Sequence, residues 1–432
     1  MLDLTASWAG VLSLIIFVAA YVMVILEECT HMSKSKPVML AAGLIWALIG
    51  ISYAMVGKGA EVHAHAMEVI EEYGELFLFL LVAITYMNTL EERRVFAVLR
   101  AKLVGLGLSY RQLFWLTGIL SFFLSAILDN LTTSLIMGAV VVAVGSRSPK
   151  FIAIGCVSLV VAANAGGAFS PFGDITTLMV WQEGKLDFGQ FFALFLPSLA
   201  NWLVPAAIMH FAVPATRPEP HEDAVSLKHG AWGVVALFAA TIVSAVLFKD
   251  FLQMPPAMGM MLGLGYLQIF SYTLQRRGKR RDDEDMWLDS FQQIARVEWD
   301  TLLFFFGIIF AVGGLGVLGY LVFSSNLLYA GLGATPANII IGALSAVVDN
   351  IPLMYAVLTM DPSMPEGQWL LITLSCGVGG SLLSIGSAAG VALMGQARGT
   401  YTFGSHLKWT WAVALGYIAS IAVHLVVNAS TF

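Results

Sequence analysis

The chain has 432 residues, 58% of them hydrophobic and 12% charged, with a formal net charge of −6. That charged share is about half of what a soluble globular domain carries, so a soluble enzyme and a disordered chain are both excluded, and the composition is that of a polytopic membrane protein. The cysteines Cys29, Cys156 and Cys376 form no CxxC pair and no zinc spacing. Basic clusters are short and flank apolar segments, which marks topology rather than a nucleic-acid-binding stripe.

About 20 apolar residues cross a bilayer core of about 30 Å as a helix. By that measure the first two spans are 8–26 and 37–56. Residues 1–7 lack a basic stretch, so no cleavable signal is expected ahead of the first span. An outer loop follows at 57–71, with Glu61, His63, His65 and Glu68, and then a span at 72–90. Residues 95–108, with Arg100 and Lys102, predict a helix lying at the interface. Residues 113–144 are apolar but interrupted by Asp129-Asn130, which leaves arms too short to span and predicts a re-entrant hairpin. The span 150–182 contains Gly166-Gly167 and Pro171-Phe172-Gly173, which predict a broken helix, because glycine permits close approach and proline removes an amide.

A span at 188–212 and a cytoplasmic linker at 213–227 close the first half. The second half offers spans at 228–248, 254–274 and 300–324, with the charged run 275–285 read as a loop. It continues with a hairpin at 335–360 interrupted by Asp349-Asn350. A span at 368–397, broken around Gly379, Gly380, Gly386 and Gly390, and a last span at 406–427 complete it. No Walker A motif is present, and the glycine-rich runs suit helix packing rather than nucleotide binding.

Threading ten crossing spans from outside, with each hairpin returning to its own side, puts 19 of the 22 basic residues on the cytoplasmic face. Lys58, Lys185 and Lys249 stay outside, the positive-inside rule is satisfied, and both termini face outward. The halves resemble each other. "AILDNLTTSLI" (126–136) answers to "AVVDNIPLMYA" (346–356), and "AGGAFSPFGD" (165–174) answers to "VGGSLLSIGS" (378–387). The expected fold is therefore all-α, with two inverted-topology repeats at 1–212 and 228–432. Each repeat has about five transmembrane helices, a re-entrant hairpin and a discontinuous helix, a build common to secondary transporters.

Of 28 acidic residues, only Asp129, Asp174 and Asp349 fall at mid-membrane depth, where no lysine or arginine accompanies them. A carboxylate buried there must be paired, protonated or bound to a cation. With no basic partner in view, protonation and cation binding remain. Hard oxygen donors surround these acids. The first half supplies Asn130, Thr132, Thr133, Asn164, Ser170, Thr176 and Thr177, and the second supplies Ser345, Asn350, Ser381, Ser384 and Ser387. The acids also read as helix caps, and the hydroxyls as groups bonded to their own backbone. Glu75 and Asp300 sit at matching repeat positions near span ends, either as interfacial charges or in a proton path. His210 is either a satisfied histidine or part of the pH response.

The runs "ILDNLTTSLIMG" (127–138), "NAGGAFSPFGDITTLMVWQ" (164–182), "SAVVDNIP" (345–352) and "GGSLLSIGSAAG" (379–390) closely resemble the NhaD-type sodium/proton antiporters. The resemblance covers roughly residues 10–427. It implies secondary active exchange of cytoplasmic Na⁺, and Li⁺, for external H⁺ by alternating access, voltage-coupled and most active at alkaline pH. It also implies a role in pH homeostasis, a bacterial inner membrane, a homodimer, and no enzyme activity, cofactor or nucleic-acid partner. The family's functional positions fall on Asp129, Asn130, Asn164, Asp174, Thr176, Thr177, Ser345, Asp349, Asn350, Ser384 and Ser387. An anion carrier of the same fold is disfavoured by intramembrane acids without bases, and a scaffold by the paired polar hairpin tips.

Overall fold

A computed structural model describes residues 3–30, 32–218, 225–281 and 284–432. Among these residues every regular element is helical, as backbone in lipid must satisfy its own hydrogen bonds. Eight described helices are long and apolar enough to cross a membrane. Seven of them occupy predicted spans: Trp8–Ile25, Ser35–Met55, Pro149–Gly167, Phe188–His210, Ala231–Phe251, Trp299–Leu318 and Thr410–Val427. Local chemistry starts several of them. The Ser7 hydroxyl accepts from Gly10 N at 3.0 Å, and Ser148 caps Pro149–Gly167 with proline in its first turn.

The eighth, Tyr110–Leu128, is longer than the arm expected of the hairpin at 113–144. Ser109 and Gln112 form a reciprocal capping box, so the helix begins ahead of the polar residues that seemed to precede it. Its 19 residues rise about 28 Å, enough to cross. The returning helix, Asn130–Val144, has 15 residues, and the helices flanking Asp349 have 11 each.

Two charged runs read as loops are helical instead. Gly59–Glu92 is one helix of 34 residues that takes in most of 57–71, and Pro256–Arg281 carries Arg276, Arg277, Lys279 and Arg280. Contacts at three-residue spacing, Lys58 to Glu61 at 2.9 Å and His65 to Glu68 at 3.1 Å, support the first of these. Part of the linker 213–227 lies outside the described residues, as does the Cys29 side chain. Cys156 and Cys376 are buried free thiols.

The chain divides into two compact units. The first comprises Met1–Thr89, Trp232–Gly333 and Tyr355–Pro362. Its core joins Ile45, Ile49 and Tyr53 to Leu315 and Leu318. Helices Ser35–Met55 and Trp299–Leu318 cross closely there, because a Cβ on Gly314 would lie 2.7 Å from Ile45 Cγ2.

The second unit comprises Leu90–Ala231, Ala334–Met354 and Ser363–Phe432. One end of it is tied by a charge cluster. Arg93 is fully buried, with Nη2 2.5 Å from Glu92 Oε2. Its Nη1 donates to the His229 carbonyl at 3.1 Å, and Lys228 Nζ lies 3.0 Å from Glu92 Oε1. Removing one partner of a buried pair costs about 3 kcal/mol or more. Glu92→Ala is therefore expected to lower the thermal midpoint of the purified protein, and an unchanged midpoint would show that Arg93 is satisfied elsewhere.

Within the second unit the same contacts occur twice. Ser125 Oγ donates to Ala163 O at 2.6 Å, and Ser345 Oγ donates to Cys376 O at 2.9 Å. A Cβ on Gly166 would lie 2.1 Å from Phe122 O, and one on Gly379 would lie 1.9 Å from Gly342 O. Gly173 abuts Ser125 O as Gly386 abuts Ser345 O, with a Cβ there 2.6 and 2.7 Å away. Each hairpin is thus held against the broken helix of its own half, backbone to backbone, at points where only glycine fits.

Candidate cation site

Each break in a helix frees backbone groups that side chains must satisfy. The first broken helix stops at Gly167 and resumes at Ile175. Asp174 is extended, and its Oδ1 accepts from Thr176 N at 2.9 Å and Thr176 Oγ1 at 3.0 Å. Thr177 Oγ1 donates to Ser170 O at 2.8 Å and Asp174 O at 2.6 Å. At the first hairpin tip, Asp129 has φ 69° and ψ 158°. A non-glycine there costs of order 1–3 kcal/mol and persists only where its surroundings enforce it. Its carboxylate accepts from Thr132 N and Thr132 Oγ1, both at 2.8 Å.

Capping leaves Asp174 with capacity to spare, and the asparagines use it. Asn130 Nδ2 donates to Asp174 Oδ2 at 2.8 Å and to Asn164 Oδ1 at 3.1 Å. Asn350 Nδ2 lies 3.3 and 3.1 Å from the two Asp174 oxygens. Asn164 Nδ2 donates to Ser381 Oγ at 2.9 Å. Two hairpin tips and the first helix break therefore converge on one carboxylate, and Ser381 of the second break joins them through Asn164. Asp174 is 4% exposed, and every hydrogen bond described to its carboxylate comes from a neutral group. Asp349, half-buried, lies within electrostatic reach of it.

The remaining predicted residues separate into groups. Ser345 is buried and bonded to the Cys376 carbonyl. Ser387 caps Ala388–Gln396, accepting from Gly390 N at 3.3 Å. Ser384 Oγ is buried without a hydrogen-bond partner among the described residues, as are Thr133 Oγ1 and Ser134 Oγ. Asp129 and Thr132 bond to each other at the hairpin tip, while Asn130 joins the Asp174 cluster. Glu75 and Asp300 belong to the first unit, where Asp300 accepts from Ser35 Oγ. His210 Nδ1 accepts from Trp115 Nε1 at 3.1 Å, away from the Asp174 cluster.

Two contributors escaped the sequence reading. Cys376 Sγ donates to Asn350 O at 3.4 Å, with no pattern to announce it. Ser125 could have been found, because it precedes Ser345 by the 220 residues that separate Asp129 from Asp349.

The model of the citrate transporter family matches residues 12–377. The Na⁺/H⁺ antiporter NhaD of Halomonas elongata is 53% identical, covering 100% of this chain and 91% of that protein. The chain belongs to the NhaD antiporter family. The NhaD antiporter of Vibrio cholerae is 53% identical over 100% of this chain and 94% of its own length. Sodium/proton antiporter 1 of Arabidopsis thaliana is 33% identical over 96% of this chain and 72% of its own. A family of transporters, not enzymes, suits a site made of carboxylate, amide and hydroxyl groups held between broken helices.

Proposed function

We propose that the protein is a secondary Na⁺/H⁺ antiporter that exports cytoplasmic Na⁺, and Li⁺, in exchange for external protons by alternating access. The observation that carries this is Asp174, buried at 4% exposure amid neutral donors. An ionised carboxylate without a counter-charge is costly at membrane depth. Asp174 therefore crosses the membrane bearing either a proton or a cation, and that exclusion couples the two flows. The names of the relatives agree with this chemistry.

In this reading Na⁺ is the cargo and Asp174 its anionic ligand, with Asp129 and Asp349 adding negative charge. Asn130, Asn164 and Asn350 turn their amide oxygens toward it. Thr132, Thr176, Thr177, Ser345, Ser384 and Ser387 supply hydroxyls or hold the breaks open. Glu75, Asp300 and His210 serve the proton path or its pH response. The halves 1–212 and 228–432 act as inverted repeats in a homodimer in the bacterial inner membrane, with both termini periplasmic. A stoichiometry of two protons per Na⁺ would make the cycle voltage-driven, at about 2.3 kcal/mol per charge per 100 mV.

The citrate transporter description raises an anionic substrate as the second reading. A tricarboxylate at Asp174 and Asp349 meets like charge, which weighs against it. Everted vesicles from a host without sodium antiporters separate the two. With the lumen acidified by respiration, NaCl and LiCl are expected to dequench an acid-trapped dye and choline chloride is not. Citrate uptake without any cation response would overturn the antiport reading.

A further inference from the structure

The second helix break is held from outside itself. Glu366–Gly379 ends in a 3-10 turn, Gly380–Leu382, whose carbonyls have no continuing helical turn to accept from. At the first break a cap comes from the helix that follows, Thr177 Oγ1 donating to Ser170 O. At the second break the segment leading into the last span supplies the caps. His406 Nε2 lies 2.9 Å from Ser381 O, and Thr410 Oγ1 donates to Leu382 O at 2.9 Å. The carbonyl can only accept, so Nε2 carries the hydrogen, and Nδ1 takes the Tyr401 hydroxyl hydrogen at 2.7 Å. His406 is 0% and Tyr401 1% exposed, so both rings are fixed by packing.

Ser381 is the residue whose hydroxyl accepts from Asn164, which in turn accepts from Asn130 beside Asp174. The repeat-related positions, Gly377 and Ala168, meet without polar atoms, a Cβ on Gly377 lying 3.5 Å from Ala168 Cβ. The polar link between the two broken helices at these positions is thus made once, and His406 holds the backbone of its second member. We infer that His406, oriented by Tyr401, is a positioning residue for the cation site: by capping the Ser381 carbonyl it aims the Ser381 hydroxyl at Asn164 and thereby sets the apparent affinity for Na⁺. The inference rests on the antiport reading.

The test is Na⁺-dependent exchange by the full chain in vesicles, read as the half-saturating Na⁺ concentration and the maximal rate at matched expression. A buried hydrogen bond is worth about a fivefold change in affinity. His406→Leu is expected to raise the half-saturating Na⁺ about 5- to 10-fold with the maximal rate largely kept, and Tyr401→Phe about threefold. His406→Gln, which keeps a donor near the Nε2 position, is expected to return to within about twofold of wild type. Thr410→Val, at the neighbouring carbonyl, is expected to leave the half-saturating concentration unchanged. On a Ser381→Ala background, His406→Leu is expected to add nothing further, as coupled positions require.

Independent, multiplicative effects of Ser381→Ala and His406→Leu would overturn the inference, as would a fall in rate alone. If His406→Leu does not fold, Tyr401→Phe still decides, since an unshifted half-saturating concentration would overturn it. A wild type without Na⁺ response sinks the antiport reading itself, whereas a responsive wild type with unshifted variants sinks only the role of His406.

Discussion

Asp174→Asn is expected to abolish Na⁺-dependent proton release, lowering the exchange rate by about 100-fold or more. Asparagine keeps the size of the side chain, and its oxygen still reaches Thr176 N, which Asp174 now caps at 2.9 Å. The helix Ile175–Gln182 is therefore expected to start as before, and the variant to melt within a few degrees of wild type. Charge and titration are what disappear. A neutral amide neither attracts Na⁺ nor carries a proton, and losing one charged partner in a low-dielectric site costs about 3 kcal/mol or more. The Asn130 and Asn350 amides, now donating to the carboxylate, would meet an NH₂ group or turn. Dye dequenching across a series of NaCl concentrations and pH values reads the outcome. Wild-type exchange by folded Asp174→Asn would move the coupling site elsewhere, with Asp349 the first alternative. The site's location and the function would then be judged apart, because wild-type transport is measured in the same vesicles.

Gly379→Val is expected to cost the protein its folded state. A Cβ at Gly379 would lie 1.9 Å from the Gly342 carbonyl oxygen, and its counterpart at Gly166 would lie 2.1 Å from Phe122 O. Both obstacles are backbone atoms of a neighbouring helix, so no rotamer relieves them. Overpacking of this kind costs about 1–3 kcal/mol even where neighbours yield, and here each hairpin would have to separate from its broken helix. Gly166→Val is expected to behave alike. Gly395, in the helix Ala388–Gln396, has open space around its Cβ position. Gly395→Ala is expected to be neutral or to stabilise by up to about 1 kcal/mol, because alanine forms helix better. Monodisperse elution in detergent and the thermal midpoint distinguish the three. Folded, transport-competent Gly379→Val would show that the close crossing is not required.

The sequence was informative wherever the signal is local. An acid in an apolar run is visible by composition alone, so Asp129, Asp174 and Asp349 stood out, and the Asp-Asn pair recurring 220 residues later pointed to two hairpins. The breaks at Gly166-Gly167 and around Gly379 and Gly386 were visible because glycine and proline act on their own backbone. Element ends were less legible. The polar start of Tyr110–Leu128 hid a capping box, and the charged residues of 57–71 looked like a loop although their spacing suits a helix.

Composition thus determined a helical membrane protein, and repetition pointed to the paired hairpins and breaks as the place to look for its polar site. Tertiary structure decided which acid gathers the amides. Asp129 and Asp174 both cap helices, yet Asn350 comes to Asp174 from 176 residues along the chain. His406 reaches Ser381 across 25 residues that no periodicity links. Hydrogen bonds of this kind depend on where distant segments are brought by glycine-to-carbonyl crossings, and local sequence encodes the crossings' residues but not their partners.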